Sequence, residues 1–176
     1  MTEAKLDDRG VWSKVRLIDP APARLQVLDD ILEETQDKGI IWSRFRPDLE
    51  LIASHLGSKA VGYYGGIGDN QRAENYRRFK QDDTVRYLVA NQASAGLGLN
   101  LSVAGVMVYY ANSFSSEHRA QSEDRAEAEG KHNATLVIDL EVPRTVDSKI
   151  IRTLKNRRDL ATLIMRDPKS LFMEEA

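Results

Sequence analysis

Cysteine is absent from the 176 residues, which excludes a disulfide framework and any thiolate metal site. The three histidines, His55, His118 and His132, are scattered without companion ligands, so nothing in the pattern calls for a metal ion. No apolar run approaches the roughly 18 residues of a membrane helix. The opening MTEAKLDDRG is also too polar for a signal peptide. The expectation is a soluble, cytoplasmic protein with no membrane partner. Charge of one sign is also lacking: 30% of residues are charged, yet the net charge is −2. Only local clusters can therefore speak for or against nucleic acid. Finally, there is no GxxxxGK[ST] loop, so the chain by itself cannot grip a nucleoside triphosphate in the P-loop manner.

What is present is a 41% hydrophobic chain, long enough for one sizeable core. Asp19-Pro20-Ala21-Pro22 favours an extended lead-in, with Pro22 suited to a helix's first turn. Leu25, Leu28, Ile31 and Leu32 recur at helical spacing and predict a helix over about 23–37, stopped at Gly39. Buried strands are expected at Gly39–Ser43, Ala60–Tyr64, Val85–Ala90, Gly105–Ala111 and Ala134–Glu141, with helices between them. One starts at Pro47, one is opened by Asp69 as N-cap, and one runs over about 115–128. A last, long helix is expected over about 145–165. Helix and strand in alternation imply a single α/β domain with a mainly parallel sheet of about five or more strands. The domain spans 22–165, after an extended segment 1–21 and before a tail 166–176. In such sheets ligands sit outside the carboxyl ends of the strands.

Two loops reach that edge. Gly65-Gly66-Ile67-Gly68 could cradle phosphates, make a plain tight turn, or let an anionic backbone pass over it. A dinucleotide reading is poor, because Gln71 stands where the third glycine belongs and Asn91 where an acid would end the next strand. The stretch Ala93 to Leu101, ASAGLGLNL, has small residues that allow close approach, and backbone N–H groups with Ser94 that can donate to phosphate oxygens. It could equally be a crowded strand-to-helix crossover. Gln121 and Arg125 share a helix face with position 128, which suits a nucleotide's phosphates or an ordinary solvated helix. The basic residues on the 72–80 and 149–158 helices read most simply as solvated faces.

Taken together, these residues resemble the second RecA-like lobe of superfamily-two helicases and translocases, nearest the Swi/Snf-like DNA-dependent ATPases and their bacterial and phage relatives. GIIWSRFRPDLELIASHL looks like motif IV, and YYGGIGDNQRAENYRRFK like the glycine-to-arginine segment that follows it. VANQASAGLGLNL looks like motif V, QSEDR like the start of motif VI, and KNRRDLA like the segment closing the lobe. Order and spacing match across about residues 23–160.

The resemblance implies a RecA-like three-layer α/β/α fold and a split ATPase. ATP with Mg²⁺ would be held mainly by an absent first lobe, the partner of this one, and would not bind tightly to this chain alone. Gly98, Asn100, Gln121 and Arg125 would line the ATP side, Gln121 and Arg125 acting catalytically. Ser43, Arg44, Gly65, Gly66, Arg72, Gln92 and Ser94 would meet the phosphates of DNA, or of RNA. Such contacts position a strand without reading its sequence. One departure stands out. The family pattern QxxDRxHRxGQ has a second arginine, and here Ala128 occupies that position between Glu127 and Glu129. Ala95 replaces a usual glycine as well. The lobe is therefore either weakened for catalysis or altered at this stretch. Two alternatives follow: a stand-alone, inactive module that binds nucleic acid or protein, and an unrelated α/β nucleotide-binding domain.

Overall fold

The computed structural model describes residues 5–6, 12–13, 21–126, 135–143 and 145–155, with side chains at 23–94, 98–126, 135–143 and 145–154. In chain order the elements are strands β1 (Lys5–Leu6) and β2 (Trp12–Ser13), helix α1 (Ala21–Glu34), β3 (Lys38–Ser43), α2 (Arg46–Leu56), β4 (Ala60–Tyr63), α3 (Asp69–Gln81), β5 (Tyr87–Ala90), β6 (Ala104–Ala111), α4 (Ser116–Asp124), β7 (Leu136–Asp139) and α5 (Val146–Lys155). Among the described residues the first two strands pair with each other, antiparallel, inside the stretch expected to be an extended segment. The other five form one sheet in the order β4-β5-β3-β6-β7, every neighbouring pair parallel.

Both faces of this sheet are covered, which is why its strands lack polar alternation. Along β3, Ile40 and Trp42 enter one core with Leu88, Met107, Tyr109 and the α3 residue Phe79. Ile41 enters the other, with Val89, Val108, Tyr110, Leu28 and Leu32 of α1, and Leu49 and Ile52 of α2. The architecture is therefore three-layered, as expected. Burying each such side chain contributes about 1.5–3 kcal/mol, and the central pair β3 and β6 carries half of the large, fully buried ones. α5 lies outside these two cores, making a third cluster from Ile150, Leu154 and Phe114. An ion pair from Arg24 of α1 to Asp147 holds it there.

Several boundaries differ from expectation for local reasons. α1 ends at Glu34, because Lys38 is already the first residue of β3. Asp69 is not an N-cap: Gly68 occupies that position, no side chain caps the helix, and Asp69 sits in the first turn paired with Arg72. The stretch after β5 is not an open loop but a 3₁₀ segment, Gln92–Leu97, whose cap is Asn91. α4 begins one residue after Ser115, which caps it by accepting from the His118 N–H. Glu127 to Lys131, the last helix beyond residue 155 and the tail lie outside the described residues. Among the described residues no helix is long and apolar enough to cross a membrane, and no cluster of acids and histidines could hold a metal ion.

Candidate functional site

Because all five strands run the same way, the segments following β3, β4, β5 and β6 gather at one edge of the sheet. Side chains stitch three of them together. Asn91, just past β5, donates from its carboxamide to the carbonyls of Ser43 (3.2 Å) and Arg44 (2.9 Å), past β3. Its Oδ1 accepts from the Ala93 N–H at 2.9 Å, starting the 3₁₀ segment. Gln92 reaches the other way, its Oε1 accepting the Ser113 N–H at 2.6 Å, past β6.

This stitching corrects part of the expected nucleic-acid set. Ser43 is fully buried; its hydroxyl donates to Asp48 at 2.8 Å and accepts from the Phe45 N–H. Gln92 is 1% exposed. Neither side chain is presented to solvent: Ser43 holds the turn after β3, and Gln92 holds Ser113 through Oε1 while its buried Nε2 has no partner. The backbone N–H groups of Ala93 and Ser94 are likewise consumed, by Asn91 Oδ1 and the Asn91 carbonyl. What the edge does present is Arg44, exposed, with its guanidinium 3.7 Å from the centre of the Phe114 ring. Partial burial there lowers the arginine's pKa from its ordinary value. Ser94 is half-buried in the 3₁₀ segment.

One strand further out, Gly65 and Gly66 form an exposed turn closed by the Ile67 N–H to the Tyr64 carbonyl. Gly66 has φ +98°, a left-handed conformation that glycine adopts without strain. Arg72 rises from the first turn of α3, paired with Asp69 and 5.8 Å from the Tyr63 ring. The other α3 arginines also have partners on or beside their helix, Arg77 with Glu74 and Arg78 with Asp82. That is the pattern of a solvated face.

Of the expected nucleotide set, the loop carrying Gly98 and Asn100 and the end of α4 carrying Arg125 are adjacent. The Leu101 N–H donates to the Arg125 carbonyl at 2.9 Å, tying the end of α4 to the loop that carries Gly98 and Asn100. Ala126 follows into the same core as Leu101. Gly98 sits in the left-handed region at φ +74°, exposed, where it caps the 3₁₀ segment. Asn100 is exposed too, but its Oδ1 is occupied by the N–H and hydroxyl of Ser102. The Tyr76 hydroxyl grips its backbone from both sides, donating to the carbonyl and accepting from the N–H. Gln121 donates to Glu117 at 3.1 Å. Arg125 keeps a buried Nε without a hydrogen-bond partner. Arg125 is half-buried, and its guanidinium is of the type that pairs with the acceptor-only oxygens of a phosphate. Position 128 lies outside the described residues.

Reading the sequence missed Arg119, the most heavily engaged side chain in this region. One signal was available. Asp139 ends the apolar run Leu136–Asp139, and a carboxylate at such a place calls for a cation.

Fold and edge together define the second RecA-like lobe of a superfamily-two helicase. A family model described as "Helicase conserved C-terminal domain" matches residues 23–127, and the chain belongs to that family, on its Swi/Snf-like side. It is 26% identical to Helicase swr1 of Schizosaccharomyces pombe over 157 residues, covering 86% of this chain and 12% of that protein. To ATP-dependent helicase FUN30 of Saccharomyces cerevisiae it is 26% identical over 162 residues, covering 90% of this chain and 14% of that protein. To the human Lymphoid-specific helicase it is 23% identical, covering 79% and 17%. The chain thus spans under a fifth of each of these relatives. All three relatives are eukaryotic proteins. Among solved structures, the crystal structure of the C-terminal part of the Fun30 ATPase domain matches in fold with a TM-score of 0.67 at 24% identity, over 79% of this chain and 47% of that one.

Proposed function

We propose that this lobe completes an ATP site shared with a first RecA-like lobe and moves along DNA, as part of an ATP-driven helicase or translocase. The observation that supports this reading is the Leu101–Arg125 hydrogen bond, which ties the end of α4 to the loop that carries Gly98 and Asn100. Gln121 and Arg125 would meet the phosphates there. ATP with Mg²⁺ would be held mainly by the P-loop side of the first lobe and would supply the phosphoryl group transferred to water. Arg44, Gly65, Gly66, Arg72 and Ser94 would touch the nucleic-acid backbone. Ser43 and Gln92 would support those contacts from beneath. Backbone contacts of this kind weaken steeply with salt.

The test is turnover. The 176-residue chain alone should hydrolyse no ATP above background. A protein carrying both lobes should show DNA-stimulated hydrolysis that Arg125→Ala removes. An arginine finger is worth roughly 10³–10⁵ in rate, so Ala128→Arg in the two-lobe protein should raise turnover markedly. Hydrolysis by the lone chain, or indifference to Arg125→Ala, would end the reading. Ala128 itself favours a second one: a module that binds DNA or a protein partner without catalysis. Under that reading the two-lobe protein binds DNA but stays inactive.

A further inference from the structure

We propose that Arg119 is the positioning residue that fixes α4, and with it Gln121 and Arg125, against the end of the sheet. This rests on the nucleotide role just given to Gln121 and Arg125. The Arg119 side chain is 13% exposed and lies between α4 and the ends of β6 and β7. Its Nε donates to Glu123 one turn along its own helix. Its Nη1 donates to Asn112 at 2.8 Å and to Asp139. Its Nη2 donates to the second Asp139 oxygen at 3.3 Å. The guanidinium carbon lies 3.5 Å from the centre of the Tyr109 ring. One group thus grips its own helix, both strand ends and a core aromatic at once.

Burial opposes the charge on Arg119, but the hydrogen bonds to Asp139 and Glu123 more than offset it, and its pKa is raised overall. Only a planar fork can satisfy these partners together, since lysine offers a single point charge. A second tie runs in parallel: the Tyr109 hydroxyl and Ser122 Oγ are 2.7 Å apart, and Ser122 also donates to the Arg119 carbonyl. α4 itself puts only Ser122 among its fully buried residues. Its angle on the sheet is therefore set by polar contacts rather than by an apolar face. Gln121 lies two residues beyond this hub, and Arg125 six. With the guanidinium committed to Glu123, Asn112 and both Asp139 oxygens, Arg119 does not stand in for the arginine that Ala128 replaces.

The experiment compares Arg119→Lys and the milder Asp139→Asn with wild type, by two measurements. In the 176-residue chain, amide exchange of Leu101 and of residues 118–125 should quicken roughly tenfold or more, while the β3 and β6 ladder amides stay within about twofold. In the two-lobe protein, kcat should fall roughly tenfold or more, with the ATP KM within about twofold, because a misaimed group costs transition-state rather than ground-state contacts. Unchanged exchange in α4 would overturn the proposal. Equal loosening of α4 and the ladder would do the same, as would α4 loosening without loss of kcat. An inactive two-lobe wild type would instead sink the functional reading, leaving exchange to decide whether Arg119 holds the helix.

Discussion

Replacing Asn91 tests the stitching of the strand ends directly. The carboxamide makes three hydrogen bonds: two as donor, to the Ser43 and Arg44 carbonyls, and one as acceptor, from the Ala93 N–H. Loss of a cap of this kind costs about 1 kcal/mol. Each carbonyl bond contributes about 0.5–1.5 kcal/mol net. The Arg44 carbonyl lies near solvent and can rehydrate, so the low end applies to it; the Ser43 carbonyl belongs to a buried residue and takes the middle of that range. Asn91→Ala should therefore destabilise the chain by about 2–3 kcal/mol, or about 4–12 °C in thermal midpoint for a domain of this size. Asn91→Asp is the sharper variant. It keeps the cap but turns a carboxylate toward two carbonyl oxygens, so at neutral pH it should be at least as damaging as alanine. Crowded by those oxygens, the new carboxyl has a folded pKa above its unfolded value near 3.9. The penalty is then present above the folded pKa and vanishes below the unfolded one. Circular dichroism melts from neutral to acid pH, read as the difference from wild type, should show that gap closing as the carboxyl gains a proton and becomes a donor. An Asn91→Asp variant as stable as wild type at neutral pH, or a gap that ignores pH, would refute the assignment.

Three further outcomes are expected. Gly98→Ala should cost about 1–2 kcal/mol from its left-handed backbone alone, since nothing lies within 4 Å of the added Cβ; a larger loss in a urea melt would mean the loop is packed more tightly than described. Asp48 has its pKa raised chiefly by burial, against the hydrogen bond from Ser43 that lowers it. Its ionised form thus weighs on the fold above that pKa, so the stability of Asp48→Asn relative to wild type should improve as pH rises through it, and a gap moving the other way contradicts the burial argument. Phe79→Ala removes a fully buried ring from one core and should cost about 3–5 kcal/mol in chemical denaturation, with a loss under about 1 kcal/mol arguing against its placement.

Much of the fold was legible because it is written locally. The β-branched and aromatic runs around Ile40, Val89 and Val108 announce strands buried on both faces, and leucines at helical spacing announce α1. Strand order was not legible. That β3 lies between β5 and β6, with β4 outside β5, depends on crossovers spanning dozens of residues, which no periodicity encodes. The site divides along the same line. Glycines and exposed cations at the strand ends could be picked out by residue type. Whether a polar side chain faces solvent or is turned inward to hold a neighbouring loop could not, and Ser43 and Gln92 fell on the inward side. Arg119 escaped notice because its partners Asn112 and Asp139 are seven and twenty residues away, and its grip exists only once β6 and β7 lie side by side.

The strand order also bears on how the chain is made. Of the five-stranded sheet, synthesis delivers β3 first and β4 next, yet among the described residues both lack a sheet partner until β5 arrives: β4 pairs with β5, and β3 with β5 and β6. A nascent chain leaving the ribosome can therefore build no part of this ladder until Tyr87–Ala90 has emerged and slipped between two waiting strands. Until then Trp42 and the isoleucines before it lack the two strands that flank them in the finished sheet.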